Sequence, residues 1–333
     1  MPLLKPSITW LRDPGNPILA PDPASEIDNC SCMNPFVIRV DDEYRLFYSG
    51  GSDKRTYQRI CLATSTIDDP LCFERRGVVL DIGLPGSFNS RWCVLPYVKR
   101  FGSKWHLYYS GMDDQRRGLP SFRGIGLALS NDGLHFEPLS IEPIITGDQT
   151  PDFPHNKGIA GGGLILEDTL PDGRVLYRMY YTITNGTGNL DLSLPDDLKR
   201  TAHEKHCAVC HSFDGIEWFD HRIILSPRLE VPNEDIGVAA PYVWRDGSTC
   251  RMLYCGIGTR WYYYSISEAV SADGYIWDRG NAGENIALAP NEAAAWESQS
   301  VAYPCVIDDG GKKRLFYCGN DNGGTGIGTA AEL

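Results

Sequence analysis

One pattern of about eighteen residues recurs five times along the chain, and it constrains the fold more than any other feature. Each copy is an apolar run around a Pro or Gly, a turn, and an aromatic run that closes in a small residue and Gly. The copies are NPFVIRVDDEYRLFYSGG (34 to 51), LPYVKRFGSKWHLYYSGMD (95 to 113), GGLILEDTLPDGRVLYRMYYT (162 to 182), APYVWRDGSTCRMLYCG (240 to 256) and YPCVIDDGGKKRLFYCGND (303 to 321). Each continues into a third run ending in Ser and a turn (ICLATSTIDD, IGLALSNDG, AVCHSFDG, EAVSADG), with IGTAAEL closing the chain. In the first four copies a fourth run follows, led by Phe73, Phe136, Trp218 or Trp277. Alternating apolar residues rich in aromatic and β-branched types read as strands, and self-similarity at a fixed period reads as a repeat architecture.

The fifth copy lacks a fourth strand, and ITWLRDPGNPIL at 8 to 19 has no repeat body in front of it. Pairing the two removes an open sheet edge. The expectation is an all-β, five-bladed β-propeller closed by the N-terminal strand pairing into the last blade. A single domain spans 1–333, with blades at roughly 28–82, 89–147, 155–227, 234–290 and 297–333 plus 8–19. A polar insertion at about 185 to 205 is expected to hold a short helix or act as a lid.

The composition agrees with this and narrows the partners. With 35 Gly, 22 Pro, 42% hydrophobic and 22% charged residues, the chain reads as a turn-rich globular protein. A net charge of -12 argues against nucleic acid or an anionic membrane as partner, because a phosphate surface calls for clustered Lys and Arg. MPLLKPSITW lacks the apolar core of a secretory signal, and no apolar run is long enough to span a bilayer, so a cytoplasmic location is expected. Eleven Cys fall mostly inside strand-like runs without scaffold spacing, and they are read as reduced thiols. Oligomeric state has no signature in the sequence.

With NPIL before a blade, YSG and YCG after second strands and the Ser-x-Asp-Gly turns, the chain resembles the five-bladed glycosidase superfamily, which includes glycoside hydrolase families 43, 32, 68, 117 and 130. The resemblance covers nearly the whole chain and implies a glycosidase acting on a small saccharide or glycoside, by inversion. It implies no cofactor, with a calcium ion in the central channel as the one possibility it carries.

Side chains just before each inner strand are expected to converge on one face. Counting seven back from the aligned Pro gives Asp28, Asn89, Glu234 and Glu297, and in the third copy Asn156 with His155 and Lys157 beside it. Glycosidic cleavage needs a proton donor and a carboxylate that activates water or attacks carbon. By resemblance Asp28 stands where the related families carry the base or nucleophile. The acid is open between His155, which resembles the family 117 arrangement, Glu234, whose neighbour Asp235 would raise its pKa, and Glu297. The resemblance also implies an Asp in the second blade and a Glu in the third, whereas this chain has Asn89, Ser90 and Arg91 in one and Asp152, His155 and Lys157 in the other. RDP at 12 to 14 falls in the closing strand.

Arg91 and Lys157 are candidates to hold a uronate, a sulfate or inorganic phosphate; phosphate would make the enzyme a phosphorylase. A tailoring enzyme on a small metabolite is the other alternative, and a non-catalytic sugar-binding module a third. Asp53, Asp113, Asp114, Asn185, Asp321 and Asn322 follow the second strands and can bind hydroxyls. Trp92, Trp261 and Tyr262 can stack on a sugar ring.

HEKHCAVCH at 203 to 211 has the spelling of a haem attachment site, yet it occupies the third-strand register, where successive side chains point to opposite faces. It is read as strand, with no metal, and with His206 at its start within reach of the site. GIAGGG (158 to 163) and GGTGIG (323 to 328) lack the Lys-Ser/Thr of a phosphate loop.

Overall fold

The computed structural model describes residues 7–52, 54–113, 122–150, 158–184, 193–195, 198–199 and 203–333. Most of the 185 to 205 insertion therefore lies outside the described residues. The fold is all-β, built of antiparallel strands joined by tight turns. The first unit holds β2 (Ser31–Val40), β3 (Glu43–Ser52), β4 (Tyr57–Thr66) and β5 (Asp69–Leu80). The second holds β6 (Trp92–Phe101), β7 (Lys104–Met112), β8 (Gly124–Ser130) and β9 (Glu137–Pro138). Next come β10 (Gly158–Thr169), β11 (Val175–Thr184), β12 (Lys205–Ser212) and β13 (Phe219–Leu225), then β14 (Gly237–Asp246), β15 (Thr249–Ile257), β16 (Tyr264–Ser271) and β17 (Ile286–Leu288). The last unit holds β18 (Ala302–Asp309), β19 (Lys312–Cys318) and β20 (Ile327–Glu332), and β1 (Trp10–Arg12) pairs with β20 in the register Trp10↔Glu332 to Arg12↔Ala330. The first two units share one sheet path through a single parallel bridge, Gln58↔Trp92.

Three sequence motifs now have physical causes. Every first strand carries a bulge beside its Pro or Gly, and the residue there is left-handed: Asn34, Leu95, Gly161, Ala240 and Tyr303, with φ between 50° and 86°. A bulge leaves its backbone N–H out of the ladder, and a buried N–H needs an acceptor. The acceptor is the small side chain that follows the second-strand Tyr of the preceding unit. Leu95 N–H donates to Ser49 Oγ (3.1 Å), Gly161 to Ser110 Oγ (2.5 Å), Ala240 to Thr182 Oγ1 (2.8 Å), Tyr303 to Cys255 Sγ (3.1 Å) and Asn34 to Cys318 Sγ (3.1 Å). The series passes through all five units, and the last bond returns from the fifth unit to the first. It is the reason for the Ser, Thr or Cys in YSG, YYT and YCG.

The Ser-x-Asp-Gly turns are a second device. In each, the Ser hydroxyl accepts the Asp and Gly N–H groups while an Asp oxygen accepts the next two, as at Ser271 and Asp273. The left-handed Gly is then gripped by the preceding unit: Tyr108 donates to Gly215 O at 2.7 Å and Tyr180 to Gly274 O at 3.2 Å. A Cβ at Gly274, where φ is +80°, would stand 2.5 Å from the Tyr180 hydroxyl, so Gly is required there.

Between units the space is filled by second- and third-strand side chains, including Leu46, Phe47, Ile60, Leu107, Met179 and Phe316, all buried. All eleven cysteines are unpaired and nine are buried, behaving as small apolar fillers. No helix among the described residues is long and apolar enough to cross a membrane.

Candidate functional site

The bulged first strands of all five units line one central cavity of about 340 Å³, within the ~300–1,000 Å³ typical of small-ligand sites. Its wall holds the left-handed residues Asn34, Leu95, Gly161, Ala240 and Tyr303, a clustering of uncommon backbone conformations at the place where the five units meet. Trp92 and Phe122, edge to face at 6.1 Å, supply an apolar wall suited to the C–H face of a sugar. Trp92 is held by its indole N–H, which donates to Arg55 O at 3.2 Å.

The polar groups of the cavity come from a register that the sequence pattern hides. Three residues past the second-strand Tyr, its cross-strand partner is the residue entering the third strand: Gln58 opposite Gly51, Lys205 opposite Thr184, Tyr264 opposite Ile257. All three line the cavity. Gln58 is fully buried, and neither its amide oxygen nor its amide nitrogen has a partner among the described residues. Both atoms are placed to bond a ligand hydroxyl or anionic oxygen entering the cavity. Asn322 presents a buried Oδ1 in the same state.

Among the described residues, four cationic side chains line the cavity: Lys54, Arg55, Arg91 and Lys205. Arg55 pairs with Asp321 at 3.0 Å, and Arg91 Nε donates to Thr56 O at 3.1 Å. Lys205, only 7% exposed, donates to the Tyr264 hydroxyl at 2.8 Å, and burial pushes its pKa down to about 8. No Asp or Glu lines the cavity among the described residues. Oxygen-rich, anionic coordination is what calcium requires, so this lining does not fit a calcium ion in the channel.

The carboxylates singled out from the sequence lie elsewhere. Asp28, 1% exposed, accepts Tyr48 OH at 2.8 Å and Arg75 Nε at 2.8 Å. Burial alone would raise its pKa, but the bonds from Arg75, Ser25 and Tyr48 outweigh it and hold the carboxyl below its ordinary value. Glu234 accepts Tyr254 OH at 2.5 Å, Arg228 Nε at 2.5 Å and Arg279 Nη1 at 2.8 Å. Glu297 accepts Tyr317 OH at 2.9 Å and pairs with Arg12 of β1 at 2.8 Å. Each is clasped inside its own unit by the second-strand Tyr twenty positions later and by one or two arginines. The structure brings none of the three into the cavity wall. In the second unit Asn89 takes the same place with its Nδ2 unbonded, and in the third Thr150 and His221 bond Tyr181 at 2.8 and 3.1 Å.

Of the remaining sequence candidates, Arg91, Trp92 and Asn322 line the cavity. Asp113 pairs with Arg123 at 3.2 Å, Asp235 accepts Thr259 N–H at 2.7 Å, and Asp321 meets the cavity only through Arg55. Trp261 lies under the Arg260 guanidinium, 4.4 Å from its carbon, and Lys199 lies over the Tyr262 ring at 4.4 Å. His206 is bonded to Ser226 and Glu204, each at 2.9 Å, away from the wall. His155, Lys157, Asp114, Asp53, Asp152 and Asn185 lie outside the described residues. On β12 the side chains of Cys207 and Cys210 pack into two different clusters, which is why the haem-like spelling gathers no ligand set.

Comparison with solved structures agrees with this architecture. The chain shares its all-β fold with solved glycoside hydrolases. It superposes on a glycosyl hydrolase from Bacteroides ovatus with a TM-score of 0.71 over 97% of this chain and 93% of that one, at 16% identity. A thermostable family-43 glycoside hydrolase matches at 0.63, covering 90% and 88% at 17% identity. A structure from the GH130 family of mannoside phosphorylases, a family containing glycoside hydrolases that target beta-1,2 mannosidic linkages in Candida mannan, matches at 0.70 over 97% and 93% at 16% identity. In sequence, the uncharacterized protein Rv1502 of Mycobacterium tuberculosis is 27% identical over 298 residues, covering 87% of this chain and 88% of that protein. No family model matches.

Proposed function

We propose that the five units form a five-bladed propeller closed by β1, and that the chain is a glycoside-active enzyme whose central cavity takes a small saccharide together with an anionic group. The anionic group is either carried by the sugar or supplied as inorganic phosphate. The observation that carries this reading is the cavity's polar lining: Gln58 with both amide atoms unbonded, a buried Lys205, and no carboxylate among the described residues. A buried ammonium without a carboxylate partner among the described residues calls for an anion from outside. The fold of the structural neighbours supports glycosidic chemistry, and Trp92 with Phe122 supports a sugar ring as the apolar part of the ligand.

Phosphorolysis is favoured over hydrolysis by that same lining. A two-carboxylate hydrolase needs a base to activate water, whereas phosphate arrives already anionic and needs only cations to hold it. Asp28, Glu234 and Glu297 are on this reading clasps that hold each unit together. The test is a chromatographic screen of the purified protein against neutral, uronate-bearing and phosphorylated saccharides, each with and without inorganic phosphate. Cleavage that requires phosphate supports phosphorolysis, and cleavage confined to anionic saccharides places the charge on the sugar. Cleavage of neutral saccharides without phosphate contradicts the anionic reading.

A further inference from the structure

Lys205 and Tyr264 raise a question that ligand binding alone does not answer. An ammonium enclosed by protein is destabilising unless it is paired. Among the described residues Lys205 has no carboxylate partner, and its hydrogen bond runs to the Tyr264 hydroxyl at 2.8 Å. A role in packing would be served better by Met or Leu. The pair instead faces the cavity, with both side chains in its wall.

The direction of that bond decides what Tyr264 can do. Lys205 has only donors, so the Tyr264 oxygen is the acceptor. Tyr303, its ring centroid 5.7 Å from that of Tyr264, stands beside it in the wall. With its oxygen accepting from Lys205, Tyr264 has its own proton left to give, either to the neighbouring Tyr303 hydroxyl or to a ligand oxygen in the cavity. Burial raises the phenol's pKa, so it holds that proton at neutral pH. Tyr264 bonds Lys205 and the Cys255 thiol lies close enough to act on it, and no carboxylate pairs with it among the described residues.

We infer that Tyr264, backed by Lys205, is the proton donor of the central cavity, giving its hydroxyl proton to the leaving oxygen of the bound glycoside. The inference rests on the reading of the cavity as a glycoside site. The C–O bond to the leaving group breaks, and its electron pair goes to the leaving oxygen, which gains the Tyr264 proton. The anomeric carbon gains a bond to an oxygen of phosphate or water. The Tyr264 phenolate is reprotonated by the Lys205 ammonium at 2.8 Å. Lys205 recovers its proton from the medium, or from the attacking water when water is the nucleophile. A tyrosine can serve here because the ammonium beside it stabilises the phenolate as it forms.

The test compares wild type with Tyr264→Phe and Lys205→Met on methyl glycosides and on the matching 2,4-dinitrophenyl glycosides, with inorganic phosphate present and absent. Circular dichroism melts establish that each variant folds, and calorimetry measures binding of the methyl glycosides. A methyl glycoside leaves only with a proton, whereas a dinitrophenolate leaves without one. Tyr264→Phe should therefore bind methyl glycosides within about twofold of wild type and cleave them 10²- to 10⁴-fold more slowly. On dinitrophenyl glycosides the loss should be less than about tenfold. Lys205→Met should lose methyl-glycoside turnover as well, with part of the loss carried onto dinitrophenyl glycosides through a weaker hold on the anion. In Tyr264→Phe, equal losses on both substrates, or no loss on methyl glycosides, overturn the proton-donor assignment and leave the glycoside reading standing. A wild type that binds methyl glycosides without cleaving either substrate overturns the assignment too. A wild type that neither binds nor cleaves overturns the glycoside reading, and the assignment with it.

Discussion

Replacing Glu234 by Gln separates a structural carboxylate from a catalytic one. Its side chain is fully enclosed, two arginines that are each only 16% exposed point at one oxygen, and Tyr254 donates to the other. The substitution is nearly isosteric but removes the charge, so two buried guanidinium groups are left facing a neutral amide. Breaking a buried pair in this way costs about 3–5 kcal/mol. The unfolding entropy near the midpoint is about 2.1 cal/mol/K per residue, or about 0.7 kcal/mol/K for a 333-residue chain, so a loss of about 4 kcal/mol lowers the melting temperature by about 6 °C. Differential scanning calorimetry of wild type and Glu234→Gln at pH 7 measures the shift, and the cleavage assay run at 25 °C measures activity. The expected result is a large melting shift with turnover retained. A variant that melts within about one degree of wild type and has lost turnover would refute the clasp and return Glu234 to the chemistry.

Further outcomes follow from the same geometry. Asp28→Asn should destabilise by less than Glu234→Gln, because its partner Arg75 is 33% exposed. Since Asp28 is held below its ordinary value, its contribution is present above about pH 3.9 and is lost as the pH falls through the lower folded value, so the melting gap between variant and wild type should narrow below about pH 4. Lys205→Met should melt a few degrees above wild type at pH 7. The penalty for burying the Lys205 charge is full below about pH 8 and is relieved as the pH rises toward the ordinary lysine value, so that advantage should shrink in melts above about pH 8. Gly274→Ala should cost roughly 1–3 kcal/mol, read by urea unfolding, because φ is +80° and the new Cβ meets the Tyr180 hydroxyl. Gln58→Leu should stabilise the empty protein and weaken saccharide binding about tenfold in calorimetry.

The strands were legible because alternation, turn chemistry and the repeat all pointed the same way. YSG, YCG and Ser-x-Asp-Gly were visible as motifs, and the structure gives their reasons: an acceptor for the next unit's bulged N–H, and a left-handed Gly gripped by a neighbouring Tyr. The site was harder to read. Counting back from the Pro finds polar residues at a shared offset, yet a buried Tyr hydroxyl demands an acceptor, and Asp28, Glu234 and Glu297 meet that demand. The recurring twenty-residue spacing to Tyr48, Tyr254 and Tyr317 was the available signal. Gln58, Lys205 and Tyr264 went unnoticed because the offset was counted from the first strand, while the cavity takes its polar groups from the start of the third. Lys205 was further obscured by its place in HEKHCAVCH, where the His and Cys draw attention to metal binding. Arg91 and Trp92 were found because they directly precede or open β6, whose bulge enters the wall.

The most direct test of the account sets two substitutions against each other in one assay. Wild type, Asp28→Asn and Lys205→Met are incubated with the same saccharide panel, with and without inorganic phosphate, and the products are separated by chromatography. Activity that persists in Asp28→Asn and disappears in Lys205→Met is the result expected if the central cavity carries the chemistry. Activity lost in Asp28→Asn and retained in Lys205→Met would place the chemistry at the clasped carboxylate and contradict the account.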